Sequence, residues 1–246
     1  MLTTSRKADL LERLARDGQL QVGPLATEFG VSEDTLRRDL RDLAAEGKLI
    51  RVHGGAVPAS PTNIPLADRV GKHADEKSLL GKRLADLIGD DMVIIIDGGT
   101  THLNIARALP SQRRCTVVTH SPAIAISFER HQNIEVILIG GRIFRHSMVA
   151  LGAETAQAFS RIRADLCFMG VTGVHPDLGL TTGDSDEAAI KRVMMGAAAE
   201  TIVAATPDKI GRASPWQIAP LDQLSTLVLV GDRPDWLPDT KTFTAG

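Results

Sequence analysis

The chain has 246 residues, 43% hydrophobic and 24% charged, with a formal net charge of −2. That balance supports a packed core and excludes wholesale disorder, and the near-neutral charge excludes a protein that coats nucleic acid non-specifically, so any DNA binding has to come from a local basic face. No apolar run approaches the roughly 18 residues of a membrane span, and Met1 to Leu11 lacks the apolar stretch of a signal peptide. The two cysteines, Cys115 and Cys167, stand beside apolar runs, and the seven histidines are scattered with no metal-ligand spacing. The expectation is a cytoplasmic chain with buried thiols, no metal, no cofactor and no membrane contact.

In chain order, Leu10, Leu11 and Leu14 mark one side of a first helix ending near Asp17-Gly18. A second begins around Pro24 and pairs Leu25 with Phe29 at i, i+4. Gly30 supplies a residue able to take positive φ, Val31 is an apolar plug, and Ser32 is a good N-cap, which together spell helix, tight turn, helix. The third helix, Glu33 to Glu46, has two unlike faces. At ~100° per residue Leu36, Leu40 and Leu43 form one stripe, while Arg37, Arg38 and Arg41 cluster roughly opposite. Lys48 to Val57 reads as a hairpin wing with a Gly-Gly turn, carrying Arg51 and His53. One face packs and the other presents guanidinium forks, the arrangement of a DNA-reading module. A solvated arginine face tied to Asp34, Asp39 and Asp42 is the plainer alternative.

Residues Gly54 to Leu66 are rich in Gly, Pro, Ser and Asn and read as a linker too irregular to act as a rigid rod. The expected division is a winged helix-turn-helix over 1–57, a linker over 58–72 and an α/β domain over 73–246. In the last of these, apolar runs at Met92 to Ile96, Thr116 to Thr119, Ile134 to Ile139, Leu166 to Val171, Thr201 to Ala205 and Leu227 to Val230 alternate with helical patterns. Continuously apolar strands are those buried on both faces of a parallel sheet, so the fold class is α/β, doubly wound, with ligand chemistry at the carboxyl ends of the strands. Small and polar residues gather there: Asp97 to Thr101 (D-G-G-T-T), His120-Ser121, Gly140-Gly141, Asp208-Lys209. Glycines let a backbone approach a ligand, and N–H and hydroxyl donors suit an anion. The nucleotide-binding patterns G-x-x-x-x-G-K-[ST] and G-x-G-x-x-G are both missing.

V-S-x-x-T-L-R-R-D-L at Val31 to Leu40, followed by R-V-H-G-G-A at Arg51 to Ala56, resembles the DeoR family of bacterial sugar-metabolism regulators. The likeness continues through D-G-G-T-T, V-V-T-H-S at Val117 to Ser121, I-G-G at Ile139 to Gly141 and D-K-I-G at Asp208 to Gly211. It implies a transcription regulator, more commonly a repressor, whose sensor domain resembles phosphosugar isomerases and answers to a phosphorylated sugar or related metabolite. Ser32, Thr35, Arg37 and Arg38, with Arg41 on the same face and Arg51 and His53 on the wing, are the DNA-facing residues it implies. Arginine reads guanine bidentately and hydroxyls suit phosphates, with the division among the arginines left open. For the effector it implies Gly99, Thr100 and Thr101 as phosphate contacts, Lys191 and Lys209 as cationic partners, and Asp97, Gly98, His120, Ser121, Gly140 and Gly141 around them. Glu187 and Lys191 also fit a surface ion pair at i, i+4. Two positions depart from the pattern: the family often has an acidic residue where Thr206 stands and Asn where His120 stands.

One helix-turn-helix reads only a few base pairs, so at least a homodimer is expected on operator DNA, with effector acting on how the sensor domains pair. The competing readings are a phosphosugar isomerase with an appended DNA-binding module, using Asp97 or Glu187 as base, and a protein-docking module, which the basic face disfavours.

Overall fold

The structure, a computed structural model, describes residues 3–237 and 242–244. Its N-terminal part comprises α1 (Thr3–Asp17), β1 (Leu20–Gln21), α2 (Val22–Phe29), α3 (Glu33–Ala45), β2 (Leu49–Val52) and β3 (Gly55–Pro58). The leucine stripe works as its spacing requires: Leu36, Leu40 and Leu43 of α3 close one core with Leu10 and Leu14 of α1 and Leu25 of α2. Gly30 caps α2 at φ 65°, and the Ser32 hydroxyl accepts the Thr35 N–H at 3.2 Å to start α3. Arg6 and Asp39 form a buried pair at 2.5 Å that ties α1 to α3. The wing has a third strand the spacing did not foretell, because β1 pairs with β3. Gly55 permits this approach: a Cβ there would lie 1.8 Å from the Leu20 carbonyl oxygen.

After a one-turn helix, α4 (Leu66–Arg69), the second part runs α5 (Ala74–Asp86), β4 (Met92–Ile96), α6 (Leu103–Ala108), β5 (Cys115–Thr119), α7 (Pro122–Ser127), β6 (Ile134–Leu138), β7 (Arg142–Phe144), β8 (Val149–Leu151), α8 (Ala153–Ser160) and β9 (Ala164–Met169). It continues with β10 (Gly173–His175), β11 (Gly179–Thr182), α9 (Ser185–Gly196), β12 (Ala198–Ala205), β13 (Trp216–Ala219), β14 (Thr226–Leu229) and β15 (Thr242–Thr244). Among the described residues seven strands form one parallel sheet, in the order β15-β14-β12-β9-β4-β5-β6. Side chains of β4, β5, β9, β12 and β14 alternate between two cores, which is why those runs are apolar throughout, whereas in β6, at the end of the strand order, Ile137 and Leu138 are exposed and the double burial expected of that run is not met. Ile94 and Ile96 meet Leu80 and Leu84 of α5 and Ile124 of α7; Ile95 meets Phe159 of α8 and Ile190 and Met194 of α9. Cys115 and Cys167 are free and buried.

The strand order places a topological switch between β4 and β9, since the chain leaves β4 toward β5 and β6 and then returns to the other side. A crevice opens at the carboxyl ends of strands at such a point. The segment after the wing is not a loose tether. Ser60 N–H donates to the Ala213 carbonyl at 2.8 Å, and the Ser60 and Thr62 hydroxyls donate to the Thr172 carbonyl at 2.5 and 2.9 Å. Leu66 N–H donates to His146 at 2.7 Å. Irregular composition concealed a chain that is hydrogen-bonded to the sensor domain at several points.

Candidate functional site

Ser32, Thr35, Arg37, Arg38 and Arg41 lie along one side of α3, and Arg51 and His53 lie on the wing; all but the partly covered Thr35 are exposed. Of the carboxylates that the plainer reading assigned to the arginines, Asp34 pairs with one of them and Asp39 and Asp42 pair elsewhere. Asp39 is held by Arg6 and Asp42 by Lys7, while Arg37 takes Glu33 at 2.5 Å and Asp34 at 3.2 Å. Arg38 and Arg41 make no hydrogen bond or ion pair among the described residues. Two guanidinium groups are thus left facing solvent, beside an N-cap hydroxyl suited to phosphate.

The second feature is a cavity of about 310 Å³ at the switch point. Asp97, the residue after β4, is its buried hub. Its Oδ1 accepts from Gly98 N–H at 2.7 Å and faces His120 Nε2 at 2.9 Å; its Oδ2 accepts from Gly170 N–H at 2.8 Å and from Lys191 Nζ. Burial opposes the charge, but the Lys191 ammonium and the His120 hydrogen bond overcome it and hold this carboxyl well below the usual carboxylate range. His120 Nδ1 faces the Ala150 carbonyl at 2.8 Å. The ring is thus held between the Asp97 carboxylate and the Ala150 carbonyl. His102 donates from Nδ1 to the Asp97 carbonyl at 2.8 Å, and burial first of all lowers its pKa, leaving Nε2 as an acceptor.

Around this hub the cavity is rich in cations: Arg69, Lys72, Lys77, Lys191 and Lys209 stand against Asp97, Glu187 and Asp208. Lys191 is committed to Asp97, Glu187 takes the Thr182 hydroxyl at 3.2 Å, and Asp208 takes the Thr206 hydroxyl at 2.5 Å. Burial, with the Arg69 charge next in weight, pushes the Lys209 ammonium down to about 8; burial also lowers Lys77 and Arg69. Arg69 Nε is buried with no hydrogen-bond partner among the described residues. Adjacent cations that depress one another form a site that an anion would relieve.

Of the residues expected around an effector, Asp97, Gly98, Gly99, Thr100, Thr101, Lys191 and Lys209 line the cavity. His120 lies behind Asp97, and Ser121 caps α7. Gly140 and Gly141 pack instead against α8, where the Thr155 hydroxyl donates to Gly140 at 2.8 Å and would meet a Gly141 Cβ at 2.2 Å. The surface ion pair imagined for Glu187 and Lys191 does not form, because α9 turns both side chains inward. Arg69, Lys77 and His102 escaped notice. The one trace of the first two was a cluster of cations, Arg69, Lys72 and Lys77, at the end of a Pro- and Gly-rich stretch.

Comparison with known proteins agrees with this layout. Residues 6–62 match the DeoR-like helix-turn-helix domain, and residues 72–230 match the DeoR C terminal sensor domain. The chain is 32% identical over 235 residues to the HTH-type transcriptional regulator GlpR of Haloferax volcanii, covering 94% of this chain and 91% of that protein. It is 29% identical over 213 residues to the glycerol-3-phosphate regulon repressor of Escherichia coli, covering 86% and 84%. Among solved structures it is similar to ribose 5-phosphate isomerase A of Methanocaldococcus jannaschii, with 17% identity, 55% and 54% of the chains covered, and a TM-score of 0.41. With both parts matched in the order the fold presents them, the chain belongs to the DeoR family of transcriptional regulators.

Proposed function

We propose that this chain is a repressor that binds operator DNA through α3 and the wing, as a symmetric dimer at least, and is controlled by a phosphorylated sugar or related phosphate ester in the switch-point cavity. The observation that carries the reading is the unbalanced cationic lining of that cavity, joined in one chain to Arg38 and Arg41 facing solvent. It is a non-enzymatic regulator. An isomerase needs a base that can take a proton, and Asp97, its carboxylate engaged by four donors and held well below its usual range, is poorly placed to be one. Among the described residues no helix is long and apolar enough to cross a membrane, and a cytoplasmic site of action follows from the DNA partner. The names of the relatives, a glycerol-3-phosphate regulon repressor among them, lend the phosphate ester its support.

Thr100→Val tests the cavity, because it removes a hydroxyl donor at nearly constant volume. Affinity for an activating phosphate ester, found by a thermal-shift panel and measured by calorimetry, should fall about tenfold while operator affinity stays unchanged. Wild-type ligand affinity in that variant would put the effector elsewhere.

Lys209 adds a pH dependence. Its ammonium, facing Arg69, Lys77, Asp208 and Lys191, loses its proton near pH 8 in the free protein. A bound anion favours the charged form, so anion affinity should be nearly flat from pH 7 to 8 and fall about tenfold by pH 9. Lys209→Met should bind more weakly at pH 7 and show a shallower decline. For folding the sign is opposite to that of a stabilising charge: this depressed pKa lends stability that is complete above the unfolded value near 10.4 and is lost as pH falls through 8.

A further inference from the structure

We propose that Arg69 is the residue that grips the effector anion, and that effector binding therefore clamps the segment leading from the wing onto the sensor domain. This rests on the anionic-effector reading and adds a ligand and a route to it. Arg69 lies in residues 63–71, between the spans matched by the two family domains. It sits on α4, lines the cavity, and forms no ion pair among the described residues: the charges it feels most, Glu187 and Asp97, are engaged by Thr182 and Lys191. Lys77 Nζ donates to the Arg69 carbonyl at 2.9 Å, so a second cation and the backbone of α4 meet at one place. A planar guanidinium with a buried, unanswered Nε–H is suited to bidentate capture of phosphate, which a lysine would hold only as a point charge.

The segment's anchors show why this grip matters for signalling. Upstream it is fixed by Ser60 and Thr62 on Thr172 and by Leu66 on His146; downstream His73 faces Glu76 at 3.1 Å and Asp208 at 3.4 Å. Across residues 67–72 every side chain but Arg69 is exposed. Arg69, with Lys72 beside it on the cavity wall, is thus a handle by which a ligand can fix this stretch, and β3 of the wing ends at Pro58, whose carbonyl already accepts from the Ala213 N–H at 3.1 Å. Fixing the stretch narrows the arrangements open to the recognition helices, which is enough to alter operator affinity if only some of them fit the two half-sites. The route runs along the chain itself, and repairing of the sensor domains is not required.

The test uses the full chain, inorganic phosphate and glycerol 3-phosphate as probes, calorimetry for affinity and amide hydrogen exchange for the segment. Arg69→Gln should weaken both probes at least about tenfold and Arg69→Lys should restore part of the loss. Ligand-free operator affinity and melting temperature should match wild type. Either probe should slow exchange across residues 66–73 in wild type and not in Arg69→Gln. Unchanged probe affinity in Arg69→Gln, with binding weakened in Thr100→Val and Lys209→Met, would overturn this proposal and leave the anionic effector standing. Weakened affinity with no ligand effect on exchange in wild type would overturn the clamp. Binding of neither probe to the wild-type chain would overturn the proposal and the anionic-effector reading together.

Discussion

Lys191→Ala should destabilise the chain by about 3–5 kcal/mol, the cost of removing one partner from a buried ion pair. Asp97 follows β4 and Lys191 lies on α9, and both are buried at the wall of the cavity. With the ammonium gone, His120 and the Gly98 and Gly170 N–H groups remain as donors, but the neighbouring positive charge that offsets burial most strongly is lost. A thermal melt should fall by roughly 10 °C or more, and Asp97→Asn combined with Lys191→Met should recover much of it, since a neutral pair leaves no uncompensated charge. In the wild type the depressed Asp97 pKa supplies stability that is present above the unfolded value of about 4 and is lost as pH falls below it. A Lys191→Ala variant with wild-type stability would mean that this pair does not exist in solution. The same burial makes the variant a poor probe of effector contact, because loss of ligand binding would follow from loss of fold.

Arg38→Ala should weaken operator binding by about 1–3 kcal/mol per recognition helix, hence about 2–6 kcal/mol in a dimer, with stability changed by less than about 0.5 kcal/mol. The side chain projects from the face opposite Leu36 and Leu40 and makes no hydrogen bond or ion pair among the described residues, so its removal leaves the packing of α3 in place. Arg37→Ala should cost less, because Arg37 must give up Glu33 and Asp34 to meet DNA. Gel shifts at several salt concentrations separate the two chemistries. A lost phosphate contact lowers affinity for all sequences and flattens the salt dependence, whereas a lost base contact relaxes discrimination at one position. Full operator affinity in Arg38→Ala would remove α3 as the reading helix.

Much of the architecture was legible because it is written in local chemistry. The Gly30 turn, the Ser32 cap and the leucine spacing of α3 each depend on residues within a turn or two, so they can be read without knowing the fold. The same holds for the apolar runs of β4, β9, β12 and β14, whose double burial leaves a continuous pattern. The turn from Asp97 to Thr101 was marked by its glycines and by its place after a strand. By contrast β1, a two-residue strand, has no periodicity to detect and exists because β3 offers it a partner.

The sequence by itself determined two parts, a helix-turn-helix with an arginine face and a sensor with its polar residues at strand ends. Only the tertiary structure decided which of those residues share a cavity. Gly141 carries the same small-residue signal as Gly98, yet it admits Thr155 of α8 and not a cavity wall, since what a glycine admits depends on what approaches it. Lys191 looked like half of a helical surface pair and is instead spent on a carboxylate 94 residues earlier in the chain. Arg69, in a stretch whose composition says only that it is irregular, becomes a wall of the cavity because Ser60, Thr62 and Leu66 hold that stretch against the sensor domain. Periodicity and capping act over a few residues and survive in the one-dimensional pattern. Charge pairing and cavity formation act through space between distant residues, and only folding brings them together.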